Sequence, residues 1–295
     1  MGLLHITMMS MLNNIKVLHL EPTTDCNAAC PQCRRTYDTF ESAELTLSRI
    51  TELFSVDFIK QLDKMFMCGN LGDPAAAKDT IEIFKYFRLI NPTITLGMNT
   101  NGGIRSTKWW AELASVLNNP KDYVVFSIDG LEDTNHIYRR NVVWSRVIEN
   151  AVSFIKHGGQ AHWDMLVFAH NEHQVDLVKN LAASMNFKWF RAKVSKRHKI
   201  SPIAWLSTPL NWQDPTVTLG AIDCYALKEK SIYVDAQGTF YPCCWLGNTP
   251  NTLKHFEEVK INWNTDKQNT ICAATCSKIS VGTSFTNQWQ REVEF

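Results

Sequence analysis

Short apolar runs alternate with helix-spaced segments along the N-terminal part of the chain, and each run ends in a polar or glycine-containing sequence. KVLHLE (Lys16 to Glu21) reads as a strand, and the apolar positions of Leu45 to Lys64 recur at helical spacing. MFMCG (Met65 to Gly69) is ended by NLGDP and followed by the helical IEIFKYFRLI. TITLGMN (Thr93 to Asn99) is ended by TNGG, and YVVFSID (Tyr123 to Asp129) by Gly130, with a helix predicted over Val143 to Lys156. HWDMLVF (His162 to Phe168) runs through HNEH into a helix over Gln174 to Met185, and FKWFRAKV (Phe187 to Val194) closes the series.

This makes six strand–helix units, the last incomplete. Strands alternating with helices predict a parallel sheet whose right-handed crossovers bring all strand C-termini to one rim. Six units without a doubly wound reversal predict a partial (β/α)6 TIM-like barrel, an open relative of the eightfold one, whose active site lies on that rim. The rim sequences are the loop after the first strand, NLGDP, NTNGG, SIDG and HNEH; any one of them alone is also an ordinary turn.

After Val194 the periodicity stops, and a proline-containing stretch marks a linker. SIYVDAQGTFYPCCW then reads as two short strands around Ala236, Gln237 and Gly238, a hairpin that holds thiols near one another. The expected organisation is a leader over 1–15, a barrel over 16–196, a linker over 197–222 and a cysteine-rich extension over 223–295. Trp205, Trp212, Trp245, Trp263 and Trp289 are read as core residues rather than as a contact surface.

The loop after the first strand, EPTTDCNAACPQCRR, carries Cys26, Cys30 and Cys33 in C-x3-C-x2-C spacing. Three thiols on a polar, proline-containing loop point to metal rather than to core packing. Three cysteines hold three irons of a four-iron cube and leave the fourth open to a small molecule, whereas four cysteines close it. Zinc wants a fourth ligand, and none lies nearby on this loop. A second group follows as Cys224-x13-Gly238-x4-Cys243, with Cys244 adjacent and Cys272-x3-Cys276 further on; spacing alone leaves zinc and iron–sulfur both open there, and does not choose between Cys243 and Cys244. Cys68 falls in the second apolar run and reads as a small core residue.

Composition narrows the partners. A chain of 295 residues with 45% hydrophobic and 20% charged content builds a real core, which excludes disorder. Its formal net charge of +1 leaves no footprint for a nucleic-acid backbone. No basic n-region with a small-residue cleavage site precedes the first strand, and no apolar run is long enough to span a membrane, so a cytoplasmic protein with reduced thiols is expected.

Together these residues resemble the radical SAM superfamily, whose motif is a C-x3-C-x2-C loop after the first strand of a partial (β/α)6 barrel. The position before the third cysteine is often aromatic there and is Gln32 here. Gly72 and Asp73 resemble the family's Gly-Gly-Glu motif, which engages the amino group of S-adenosylmethionine (SAM), with one methylene less in the acid. Asn99 and Asn101 of NTNG are similar to the end of the family's third strand, and SIDG, with Ser127 and Asp129, to the end of the fourth. The resemblance implies that Ser127 and a later arginine hold the SAM carboxylate; Arg139 is the choice, with Arg140 beside it.

The C-terminal cysteines resemble the SPASM/twitch extension, which implies that Cys224, Cys243, Cys272 and Cys276 hold an auxiliary [4Fe-4S] cluster. The resemblance implies a radical SAM oxidoreductase, a maturase or dehydrogenase, that takes a hydrogen atom from a peptide or protein side chain or a small metabolite. It implies a reducing partner such as flavodoxin or ferredoxin. A different class, a non-catalytic iron–sulfur electron carrier or metal-binding interaction protein, has no need of Asp73, Ser127 and Arg139. A non-radical methyltransferase is disfavoured, because no GxGxG turn follows the first strand.

Overall fold

The computed structural model describes residues 12–195, 197, 203–210, 221–263, 270–277 and 293–295. Most of the expected leader, much of the expected linker, Trp212 and Trp289 lie outside these residues.

The strands fall where the apolar runs predict: β1 (Val17–Leu20), β2 (Lys64–Met67), β3 (Thr95–Thr100), β4 (Tyr123–Ser127), β5 (Ala161–Val167) and β6 (Trp189–Val194). Between β1 and β2 lie a short α1 (Arg34–Tyr37) and, in place of one helix over Leu45 to Lys64, two: α2 (Leu47–Leu53) and α3 (Val56–Gln61). The break has a local cause. Ser55 caps α3 by accepting from the Phe58 amide at 3.2 Å, as Thr46 caps α2 from Arg49 at 3.2 Å. The remaining crossovers carry α4 (Thr80–Ile90), α5 (Thr107–Val116), α6 (Glu132–Tyr138), α7 (Trp144–Lys156) and α8 (Val175–Ser184). Val147, Ala151 and Phe154 of α7 recur at helical spacing and are buried against the sheet.

β7 (Ser231–Val234) and β8 (Phe240–Tyr241) form the expected antiparallel hairpin. β7 does more than that, because it pairs in parallel with β1, His19 opposite Tyr233. With the terminal β9 (Val293–Glu294), the result is one sheet of nine strands in the order β8-β7-β1-β2-β3-β4-β5-β6-β9. It is open at both edges, and the strands from β7 through β6 are parallel: a partial TIM-like barrel. The C-terminal segment closes with α9 (Tyr225–Lys228), α10 (Phe256–Ile261) and α11 (Thr270–Cys276).

Strand side chains alternate between the two faces. Leu96, Met98, Val124, Phe126, Trp163, Met165 and Phe190 join the main core with the helices. The other face turns into the barrel. At its N-terminal end Val17, Phe66, Tyr123 and Val125 pack into a second cluster, and the Tyr123 ring stacks on His162 with centroids 5.2 Å apart. Gly97 makes room for this plug, since a Cβ there would lie 2.4 Å from the Tyr123 ring. Towards the C-terminal end the inward positions become polar and surround a cavity of about 640 Å³.

Candidate active site in the barrel mouth

The cavity is lined by residues from β1 to β6 and the segments after them, among them Cys26, Cys30, Cys33, Gly72, Asp73, Asn99, Asn101, Ser127 and Arg139. Its volume falls in the range of roughly 300–1,000 Å³ typical of small-molecule sites.

The cysteine loop turns back on itself before α1: the Cys33 amide donates to the Cys30 carbonyl at 2.9 Å, and the Thr36 hydroxyl to the same oxygen at 2.8 Å. Each sulfur then faces a polar group from the segment that follows a different strand. Asn101 Nδ2, after β3, lies 3.6 Å from Cys26 Sγ; Arg139 Nη1, after α6, lies 3.8 Å from Cys30 Sγ; the Asn70 carbonyl, after β2, lies 4.0 Å from Cys33 Sγ. Burial pushes the Cys26 thiol up to about 12, with the Asp73 carboxylate adding to it. Burial also raises Cys30, against the pull of Arg139. At Cys26 and Cys30 the N–H donors suit thiolate ligation, in which the metal displaces the proton and hydrogen bonds to sulfur tune the cluster; the Cys33 thiol instead faces a carbonyl. Among the described residues no three His, Cys, Asp or Glu side chains close round one metal ion. A four-iron cube asks something else of its ligands, since each thiolate binds a separate iron.

Asp73 is 4% exposed, and its carboxylate accepts from the Ala75 amide (2.9 Å), the Asn101 amide (2.7 Å) and the Thr100 hydroxyl (2.9 Å). It thereby caps the turn after Gly72 and pins the NTNG loop to it. Asn101 is fixed in turn, donating to Asn27 Oδ1 at 2.8 Å. Asn99, 7% exposed, keeps its Oδ1 buried at the cavity without a hydrogen-bond partner among the described residues. Buried polar atoms are rarely left so, and a bound ligand would satisfy it. Asp129 is fully buried and does not line the cavity: it accepts from the Leu166 amide at 2.6 Å and from Arg139 Nε at 2.7 Å. It holds Arg139 rather than facing the cavity itself. Arg140 points elsewhere, its guanidinium 4.8 Å over the ring of Trp205, which is exposed. Gln32, where the aromatic would be, is fully buried; its Oε1 accepts from Ser195 Oγ at 2.7 Å and its carbonyl from Arg197 Nη1 at 3.3 Å, tying the cysteine loop to the end of β6.

Sequence reasoning missed the far wall. Asp164 on β5 accepts from Arg191 Nε at 3.0 Å and from Lys193 Nζ at 2.7 Å, both on β6. Burial works to raise the Asp164 carboxyl, but Lys193 and Arg191 outweigh it and hold the group below its usual range. Burial pushes Lys193 down, its attraction to Asp164 notwithstanding. The two directions agree physically, because two cations share one carboxylate and the carboxylate is the better compensated. The signal in the sequence was a lone Asp in an apolar run and Arg-x-Lys at strand spacing.

The C-terminal cysteines also gather. Cys224 precedes α9, Cys243 follows β8, and Cys272 and Cys276 lie one helical turn apart on α11. Cys224, Cys243 and Cys276 line one small cavity, and Cys224 and Cys243 pack with the buried Cys272. Cys244 lines that small cavity too, but packs with Tyr233 and Tyr241 and also reaches the large cavity, as does Cys68, which lies just beyond β2.

The sequence model of the radical SAM superfamily matches residues 20–182, more than half of the chain. The chain belongs to the radical SAM superfamily, whose chemistry rests on a [4Fe-4S] cluster and SAM. Its fold is shared by SuiB from Streptococcus suis bound to S-adenosylmethionine (TM-score 0.57, 14% identity, 89% of this chain and 69% of that one). It is also shared by anSMEcpe with AdoMet and Kp18Cys peptide (0.58, 16%, 84% of each chain) and by BtrN with AdoMet and 2-DOIA (0.52, 13%, 92% of this chain and 96% of that one). No curated protein matches the chain by sequence. Among the described residues no helix is long and apolar enough to cross a membrane.

Proposed function

We propose that this chain is a radical SAM oxidoreductase or maturase that removes a hydrogen atom from a peptide side chain or small metabolite held in the barrel mouth. The observation that carries this is the three-sulfur face of the cavity, each sulfur met by a polar group from the segment after a different strand. When bound, the cluster supplies the electron that cleaves the sulfonium of SAM to methionine and a 5′-deoxyadenosyl radical, which takes a hydrogen atom from the substrate.

Cys26, Cys30 and Cys33 would hold that cluster, leaving one iron free of protein. Gly72 and the turn capped by Asp73 would receive the SAM amino group. Ser127 and Arg139 would take its carboxylate, with Arg139 aimed by Asp129, and Asn99 Oδ1 would accept from a donor on the ligand. Asp73 acts chiefly by positioning, since three donors already fill its carboxylate. The aromatic plug closes the barrel floor behind the reactants and keeps water from that side. Asp164, Arg191 and Lys193 present fixed charges to the substrate side. Cys224, Cys243, Cys272 and Cys276 would hold an auxiliary cluster able to accept an electron from the substrate, with flavodoxin or ferredoxin supplying the first electron.

Among proteins of this fold, SuiB has been captured with precursor peptide SuiA and BtrN with AdoMet and 2-DOIA. The test is iron and sulfide quantitation with EPR on the anaerobically reconstituted chain. Two cluster signals are expected, one perturbed by SAM and lost when Cys26, Cys30 and Cys33 become Ala. Equal iron and an unchanged spectrum in that variant would contradict the assignment.

A further inference from the structure

One buried carboxylate joins the loop after β2 to the C-terminal hairpin. Glu21, at the end of β1, is 1% exposed. Its Oε1 accepts from the Leu71 amide at 2.7 Å and the Gly72 amide at 3.1 Å, and its Oε2 accepts from the hydroxyl of Tyr233 on β7, a side chain with no exposure. Burial pushes the Glu21 carboxyl up, and the three hydrogen bonds work against that.

The loop is built round this carboxylate. A Cβ at Gly69 would lie 2.8 Å from Glu21 Oε1 and 2.2 Å from the Gly72 carbonyl, and one at Gly72 would lie 1.8 Å from the Thr23 carbonyl. Backbone approach this close excludes any larger residue at either position. The Asp73 amide donates to the Asp25 carbonyl at 2.8 Å, so whatever fixes Gly72 also fixes the start of the cysteine loop. The C-terminal segment grips the same loop a second time, through Asn70 Nδ2 on the Cys244 carbonyl at 2.8 Å. Gly247 keeps this contact tight, since a Cβ there would lie 2.6 Å from the Tyr233 ring and 2.9 Å from Asn70 Nδ2.

We infer that Glu21 and Tyr233 are a positioning pair for SAM: Tyr233 holds Glu21, Glu21 holds the amides of Leu71 and Gly72, and SAM affinity therefore depends on the C-terminal hairpin. Neither residue touches the ligand in this scheme. The inference rests on the assignment of Gly72 and Asp73 to the methionyl part of SAM. A buried carboxylate that loses a hydroxyl donor becomes harder to keep ionised, and its hold on the two amides weakens with it.

The test measures SAM dissociation constants by equilibrium dialysis on full-length chains reconstituted to equal N-terminal cluster EPR intensity. Tyr233→Phe is expected to bind SAM about tenfold more weakly than wild type, the usual order for one hydrogen bond to a charged group. Glu21→Ala is expected to be weaker still. Glu21→Gln, which keeps an oxygen acceptor for both amides, is expected to recover to the level of Tyr233→Phe. The double variant Glu21→Gln/Tyr233→Phe should be no weaker than the weaker single one, because the two act through one contact. Tyr233→Phe binding SAM as wild type does, with or without a fall in melting temperature, overturns the inference and leaves the pair a structural brace. Arg139→Ala separates this from the underlying assignment: if it binds SAM normally, the SAM site is misplaced, whereas if it loses SAM while Tyr233→Phe and Glu21→Ala do not, only the coupling fails.

Discussion

Arg139 Nε is held by Asp129 Oδ2 at 2.7 Å while its Nη1 lies 3.8 Å from the sulfur of Cys30, so one guanidinium spans the end of the fourth strand and the cysteine loop. Its charge is locked in place, since burial works against it and Asp129 and Cys30 outweigh burial. A fixed fork beside the cysteine loop is the geometry a carboxylate needs for two parallel bonds. Arg139→Lys keeps the charge and loses the fork, and SAM binding is expected to weaken about tenfold with cluster content unchanged. Equilibrium dialysis with labelled SAM reads this directly, and Arg140→Lys, a change at a residue stacked on Trp205, is the matched control expected to leave affinity as it is.

Cys243 and Cys244 are adjacent in sequence and line one small cavity, but they pack into different clusters. Cys243 packs towards Cys224 and Cys272, and Cys244 towards Tyr233 and Tyr241. On the proposed auxiliary cluster, Cys243→Ser is therefore expected to abolish iron binding by the C-terminal group, whereas Cys244→Ser keeps it. Iron per chain and the EPR spectrum of each variant, taken in a Cys26, Cys30 and Cys33 to Ala background, decide the ligand.

His19 lies between the barrel floor and β7, 3% exposed and stacked on Phe66 with centroids 4.5 Å apart. Burial pulls its pKa from 6.5 to about 3. The folded chain thus keeps this imidazole neutral while the unfolded chain takes up a proton below 6.5, so between these two values the unfolded state binds more protons and stability falls as pH falls. From pH 7 to pH 5.5 this one group is expected to cost about 1 kcal/mol. Urea denaturation of wild type and His19→Gln at both pH values checks it: the variant should lose less stability over that interval, whatever its absolute stability.

Much of the site was legible because its chemistry is crowded into a few strand ends. The spacing of Cys26, Cys30 and Cys33 predicts a metal loop, and the structure puts Gly72, Asn99, Ser127 and Arg139 round the same cavity. Asp164, Arg191 and Lys193 were not legible, because alternating polar residues in a strand ordinarily mean a face turned to solvent. Here that face turns into the barrel, which only the closure of neighbouring strands decides. The role of Asp129 was hidden for a similar reason: its neighbours Ser127 and Gly130 read as one motif, yet its side chain lies behind Arg139. The hairpin round Gly238 was predicted from local turn chemistry, but its parallel pairing with β1 joins residues far apart in the chain and left no local trace.

Formation of 5′-deoxyadenosine is the most direct test of the central claim. The full-length chain, reconstituted anaerobically with iron and sulfide and reduced in the presence of SAM, is expected to release 5′-deoxyadenosine and methionine in equal amounts. The chain with Cys26, Cys30 and Cys33 replaced by Ala is expected to release neither. No 5′-deoxyadenosine from a wild-type chain that carries its full complement of cluster, or equal amounts from both chains, would contradict the account.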